Sequence, residues 1–238
     1  MPENRILQAL TVKEFAALRP RLTVCDLKQH ETLYEAGGPI EHVYFPLSGL
    51  VSLLNVSESG DAIEAGIVSS EGVAGGLVLL DEQRSTCQVT VQISGTALRL
   101  STAHFLEACS AIPRLKHLVN LHIQILLFQA QQNGSCHALH TVEARLCRWL
   151  LHAHEVTKSD MLDLTQEFLS HMLGAQRTSV SIIAHMLQRA GFIRYRRGRI
   201  TIIDKLGLEE ASCECYSLIK DAIDTRLPES TELQKRSA

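Results

Sequence analysis

Long hydrophobic runs are missing from this chain: no apolar stretch reaches the roughly 18 residues that a membrane-spanning helix requires. The N-terminal MPENRILQALTVKEF has no basic flank followed by an apolar core and a small-residue cleavage site, so it does not read as a secretion signal. A cytoplasmic location is the expectation. Aromatic side chains are scarce, with six Phe, four Tyr and one Trp in 238 residues. That excludes an aromatic sugar-binding platform and leaves Leu, Ile, Val and Ala to build the core. The seven cysteines (Cys25, Cys87, Cys109, Cys136, Cys147, Cys213 and Cys215) are odd in number and scattered. They form no disulfide framework and are read as reduced thiols, mostly filling the core. Enzyme signatures are absent too: there is no phosphate-cradling glycine loop, no G-x-S-x-G, no H-E-x-x-H and no dinucleotide fingerprint. No catalytic residue, metal site or cofactor is nominated.

What remains is an ordinary globular composition, 45% hydrophobic and 21% charged, long enough for one or two folding units. The net charge of −3 conceals an asymmetry. Residues 26–133 carry five Lys or Arg against eleven Asp or Glu, whereas residues 161–203 carry six Arg against Asp163 and Glu167. A compact basic segment in an acidic chain suits a module that neutralises phosphates locally.

Residues 5–19 predict one or two short helices, with Thr11 placed to cap the second. From about residue 27 to 100, short apolar runs alternate with Gly, Pro, Ser and Asp clusters. Within one run Val89, Val91 and Ile93 share a face opposite Gln88, Thr90 and Gln92. This is the texture of a small antiparallel barrel, roll or sandwich. Pro113 then opens a long helix that reads as stopping at Asn133-Gly134. Leu115, Leu118, Val119, His122, Ile125, Leu126 and Gln129 fall on one stripe of it, and Leu121, Ile123, Leu127 and Phe128 extend the apolar surface round most of the circumference. Such a helix must be covered on more than one side; the strand domain can supply one cover and a second copy of the chain the other, so the stripe is assigned to dimerisation. TVEARLCRWLLHAHEV predicts a further amphipathic helix with Val142, Leu146, Trp149 and Leu150 inward. GLEEASCECYSLIKDAI reads as a final helix with Cys213 and Cys215 on its inner face, a thiol or metal role being the alternative. The closing RLPESTELQKRSA reads as a frayed polar tail.

Residues 163–203 carry the function. Thr165 is placed to cap a helix that Gly174 ends, and Gly174-Ala175-Gln176 leads into a second helix with Val180, Ile183, Ala184 and Leu187 inward. Its outer face presents Arg177, Thr178, Ser181, Ile182, His185 and Gln188, with Ser179 beside them. Two strands hinged on Arg197-Gly198-Arg199 follow, and Arg196, Arg197 and Arg199 near the tip suit a phosphate ridge. Together these make a winged helix-turn-helix for double-stranded DNA, with Thr165, Gln166, Arg177, Thr178, Ser179, Ser181, Ile182, His185, Arg196, Arg197 and Arg199 as its contact residues.

The run LTQEFLSHMLGAQRTSV (164–180) and the AGFIRY entry to the wing from Ala190 resemble the Crp/Fnr superfamily of bacterial transcription regulators, over about residues 15–215. The resemblance implies an α+β protein: N-terminal helices (1–26), a cyclic-nucleotide-binding-like β-roll (27–106), a dimerisation helix (107–134) and a C-terminal winged helix-turn-helix (135–238). It further implies a homodimer on a roughly palindromic operator, contacts with RNA polymerase, and an effector of unknown identity. Arg177 matches the family's base-contacting arginine. Thr178 stands where a glutamate is frequent and Ile182 where a second arginine is, which implies a different half-site. In the family's nucleotide cassette a Gly-Glu holds the ribose and an Arg-Ser the phosphate. Here Gly75-Gly76-Leu77 offers no glutamate, while Arg84-Ser85 is present, closer than the family spacing. Gly75, Gly76, Arg84 and Ser85 are the candidate effector contacts, and control by cyclic AMP is not expected. The four clustered thiolates of an iron–sulfur sensor are missing, Cys25 alone lying near the N-terminus, and His30, His42, His104, His117 and His122 are read as structural rather than haem-ligating. A winged helix turned to protein interaction, and a cyclic-nucleotide-responsive regulator, stay as alternatives.

Overall fold

The computed structural model describes residues 3–81 and 83–228; residues 1–2, Glu82 and residues 229–238, the last being most of the polar tail, lie outside the described residues. Two short helices lead, α1 (Arg5–Gln8) and α2 (Val12–Leu18). Thr11 and Glu14 close a reciprocal capping box at the start of α2, satisfying two otherwise orphaned backbone donors.

Seven strands follow: β1 (Thr23–Leu27), β2 (Thr32–Tyr34), β3 (His42–Pro46), β4 (Leu50–Val56), β5 (Ala62–Val68), β6 (Gln88–Ile93) and β7 (Gly95–Ser101). They form two antiparallel sheets, ordered β1-β7-β3 and β2-β6-β4-β5, around a core that includes Val43, Phe45, Val51, Val68, Val91 and Leu100. The period-two reading of β6 gives Val89 and Val91 inward, but Thr90 and Gln92 are buried as well. The outer face of this sheet is covered by the C-terminal unit, whose core takes in Leu54 and Ile93.

Helix α3 (Thr102–Ala111) is capped by Ser101 and ends at Ile112, which Pro113 holds out of the helical region. The long helix α4 spans Pro113–Leu139. The expected stop at Asn133-Gly134 is therefore corrected: Asn133 is buried and donates Nδ2 to the Ala65 carbonyl at 3.0 Å, and the helix runs on to bury Cys136. A glycine inside a helix costs about 1 kcal/mol, which packing offsets here.

The stripe assigned to dimerisation is corrected as well. Leu115, Leu118, Val119, His122, Ile125 and Gln129 are buried, and Leu126 half-buried, against the chain's own roll. Gln129 even accepts a hydrogen bond from the Ile67 backbone of β5 at 2.9 Å. The periodicity identified an inward face and misjudged what covers it. The outward face carries His117, Gln124, Leu127 and Gln131, with Leu127 60% exposed.

The C-terminal unit contains α5 (Val142–Thr157), β8 (Met161–Asp163), α6 (Gln166–Leu173), α7 (Arg177–Arg189), β9 (Ile193–Arg196), β10 (Arg199–Ile202), α8 (Lys205–Ala211) and α9 (Cys215–Arg226). Its core gathers Leu146, Trp149, Leu150, Leu169, Val180, Leu187 and Ile200. The single final helix expected from the sequence is two, broken at Ser212-Cys213-Glu214, and α9 folds back onto α4 with Arg226 over the Phe128 ring at 5.8 Å. The two units are pinned through Glu64 on β5, which accepts from Ser52 Oγ at 2.6 Å and from Trp149 Nε1 at 3.2 Å. Burial pushes the Glu64 carboxyl above its ordinary pKa.

Candidate nucleic-acid interface

Thr165 caps α6, accepting from the Phe168 backbone N–H at 3.1 Å, and Gly174 ends that helix in the left-handed region at φ +53°. A side chain at position 174 would be strained by the left-handed backbone, which is what calls for glycine here; its β-carbon would also fall 2.9 Å from Ile63 Cδ1, a side-chain end that would have to move aside. Ala175 and Gln176 complete the turn, and α7 starts at Arg177.

Val180, Ala184 and Leu187 anchor α7 in the core, with Ile183 half-buried beside them. Arg177, Thr178 and His185 are exposed, Ser179 and Ser181 half-buried, and Ile182 is 62% exposed. One turn on from Ile182, Met186 is 50% exposed on the same outer face, a position the sequence reading left out. Its signal was visible: a large apolar residue interrupts an otherwise polar face at a spacing of four. Gln188 is exposed on this face as expected, and its Oε1 accepts from the Tyr195 backbone at 2.7 Å, which ties α7 to the wing.

The wing is a two-residue hairpin whose central residues Arg197 (φ +50°) and Gly198 (φ +77°) both lie in the left-handed region, matching the twist of its strands. Arg196 and Arg199 face each other across β9 and β10, like charges that repel. Asp163 on β8, opposite Arg199 on the other side, relieves this by accepting from Arg199 Nε at 2.7 Å. Arg194, Arg196 and Arg197 are exposed. The Gly198 carbonyl accepts from the Leu164 backbone at 2.8 Å, and Gly198 lies beside the Thr165 methyl, so the wing tip and the start of α6 are neighbours. Tyr195, whose phenol is raised by burial and eased down by the Gln166 backbone and the Arg177 charge, links these parts. The structure thus brings Thr165, Gln166, Arg177 and the wing into one exposed basic surface at the positive, N-terminal end of α7.

The candidate effector residues lie between β5 and β6. Gly75 (φ +88°) turns the chain into a short 3₁₀ segment, Gly76–Leu80, and Gly76 is buried against Val73 and Val119. Tyr34 Oη packs onto Gly75 and donates to the His42 carbonyl at 2.7 Å. Arg84 is exposed and donates to the Gly37 carbonyl at 2.7 Å, while buried Ser85 donates Oγ to the Cys87 carbonyl at 2.6 Å. The cavity that Gly75, Gly76 and Ser85 border, with Tyr34, Val73 and Val89, holds only ≈ 20 Å³, about the space of one water.

Among the described residues no helix is long and apolar enough to cross a membrane. The Cyclic nucleotide-binding domain family matches residues 24–111, and the Crp-like helix-turn-helix domain family matches residues 144–211. The Transcriptional regulator SdrP of Thermus thermophilus is 28% identical over 181 residues, covering 73% of this chain and 85% of that protein. The Global nitrogen regulator of Synechococcus elongatus is 24% identical, over 87% of this chain and 97% of its own. In fold, the chain is similar to FixK2 from Bradyrhizobium japonicum, with a TM-score of 0.68 at 16% identity, covering 81% of this chain and 98% of that one. A roll matching the nucleotide-binding family, one long helix and a Crp-like winged helix-turn-helix follow one another here, and the chain belongs to the Crp/Fnr superfamily of transcription regulators, not to an enzyme family.

Proposed function

We propose that the chain is a dimeric regulator that reads a roughly palindromic duplex site in the cytoplasm and is not controlled by cyclic AMP. The observation that carries the reading is the open outer face of α7, from Arg177 to His185, beside an exposed arginine wing. A helix end of this shape enters the major groove, and Arg177 is placed to pair bidentately with guanine. Thr165, Gln166, Arg196, Arg197 and Arg199 hold the flanking phosphates, and Thr178, Ser179, Ser181, Ile182 and Met186 face the bases, the two apolar ones suiting thymine methyls. Two copies meet through the outward face of α4 around Leu127 and Gln124, which sets the two α7 helices on half-sites about one helical turn apart. RNA polymerase is the expected protein partner.

The case against cyclic AMP rests on the roll. A small-molecule site takes roughly 300 Å³ or more, whereas the pocket at the cassette position measures ≈ 20 Å³ and Ser85 Oγ is engaged with the Cys87 carbonyl. Calorimetry with cyclic AMP and cyclic GMP is expected to show no binding in the micromolar range, and tight binding of either overturns this part. For the DNA reading, duplex affinity measured across a salt series is expected to fall steeply as salt rises. Association indifferent to salt would favour the protein-interaction alternative instead.

A further inference from the structure

The structure gathers three of the seven cysteines around one histidine, a constellation the sequence reading did not assemble. Cys136 and His140 lie four residues apart at the end of α4, on one face. The break between α8 and α9 brings Cys213 and Cys215 against them. Cys136 Sγ is 3.5 Å from Cys213 Sγ, Cys215 Sγ is 3.4 Å from His140 Nδ1, and the four ligand atoms all lie within 4.8 Å of one another. A tetrahedral zinc ion with Zn–S near 2.3 Å sets its ligands about 3.8 Å apart, so small side-chain rotations close the set. All three thiols are buried, and the His140 side chain is 20% exposed.

Three surrounding groups fit an ion. His140 Nε2 is 3.1 Å from Glu214 Oε1 while Nδ1 faces Cys215; in the tautomer protonated at Nε2 the proton goes to the carboxylate and the Nδ1 lone pair is left for the ion, the outer-shell arrangement that orients metal-binding imidazoles. Gln132 donates Nε2 to Cys215 Sγ at 3.1 Å. Arg148, 4% exposed, acts electrostatically on Cys136 and Glu64. Three thiolates, one neutral imidazole and a divalent ion carry net −1, which a buried guanidinium balances. The tetrahedral sulfur-rich set selects zinc over hard, oxygen-seeking cations.

We propose that Cys136, His140, Cys213 and Cys215 form a closed four-ligand site for a zinc-class ion, clamping the end of α4 to the segment that follows the wing. Binding breaks three S–H bonds, forms three metal–sulfur bonds and one metal–nitrogen bond, and releases three protons to solvent with no electron transferred. Because α4 also holds the roll through Gln129 and Asn133, the ion joins the roll-bearing helix to the DNA-binding unit.

The test uses the full chain, reduced and stripped by a chelator, titrated with Co²⁺ and then Zn²⁺. One cobalt per chain is expected, with tetrahedral visible bands and a thiolate-to-cobalt charge-transfer band that Zn²⁺ abolishes. Removing one of three thiolates by Cys213→Ser or Cys215→Ser is expected to cut that band by about a third and to weaken zinc binding. Glu214→Gln, which leaves every ligand in place, is expected to weaken it by roughly 10–100-fold. Cys25→Ser, in the roll, is expected to bind as the wild type does. A folded wild-type chain, by circular dichroism, that takes up no cobalt overturns the proposal, as does a cobalt spectrum unchanged in Cys213→Ser. None of these readouts depends on DNA binding.

Discussion

Replacing His122 by leucine is expected to remove about 2 kcal/mol of the fold's sensitivity to acid. His122 lies on α4 with its ring so close to Gly72 that a β-carbon there would fall 2.0 Å from Nε2. Among the described residues neither ring nitrogen has a hydrogen-bond partner. Burial holds the ring's pKa down at about 4, from 6.5. Between those values the unfolded chain binds a proton that the folded chain refuses. The stabilisation is therefore full above about pH 6.5 and is lost as pH falls toward 4. Integrated between about pH 7 and pH 5, the loss is about 2 kcal/mol. His137, held at about 4, and His152, at about 3, titrate in the same sense. The informative quantity is thus the difference between the drops in wild type and in His122→Leu, from urea unfolding at both pH values. The variant is expected to lose about 2 kcal/mol less, and to be no less stable at neutral pH because two orphaned nitrogens are gone. Equal drops in the two proteins would refute the reasoning.

Gly174→Ala combines left-handed backbone strain with the approach to Ile63, and is expected to cost about 1–2 kcal/mol in urea unfolding; unchanged stability would contradict the observed turn geometry. Trp149→Phe deprives buried Glu64 of one donor and is expected to cost about 1–3 kcal/mol, read the same way, with a neutral result arguing against the Glu64 link between the units. Arg196→Ala is expected to lower the salt slope of DNA affinity by about 0.9 per subunit while leaving the selected sequence alone. A changed sequence preference would move Arg196 from the phosphates to the bases.

The sequence showed the helix-turn-helix well because every part of it is local: a cap at Thr165, a glycine in the left-handed region at 174, an inward triplet on α7, a two-residue hairpin at Arg197-Gly198. What it hid was tertiary. The period of α4 marks a buried stripe, but period alone does not distinguish burial against the chain's own roll from burial against a second copy. Asn133-Gly134 carries the composition of a helix stop, and it is overridden because Asn133 finds the Ala65 carbonyl and Cys136 finds the α8–α9 break. Cys213-x-Cys215 looked like one face of a helix; its partners, Cys136 and His140, are some 75 residues away and invisible to any local pattern. The engagement of Gln188 with Tyr195 likewise depends on where the wing folds back.

The most direct measurement is selection of bound fragments from genomic DNA by the purified chain, without added ligand, beside Arg177→Ala. The account expects a two-fold related site to be enriched by wild type and not by the variant. Enrichment of the same site by both proteins, or a site with no two-fold relation, would contradict it.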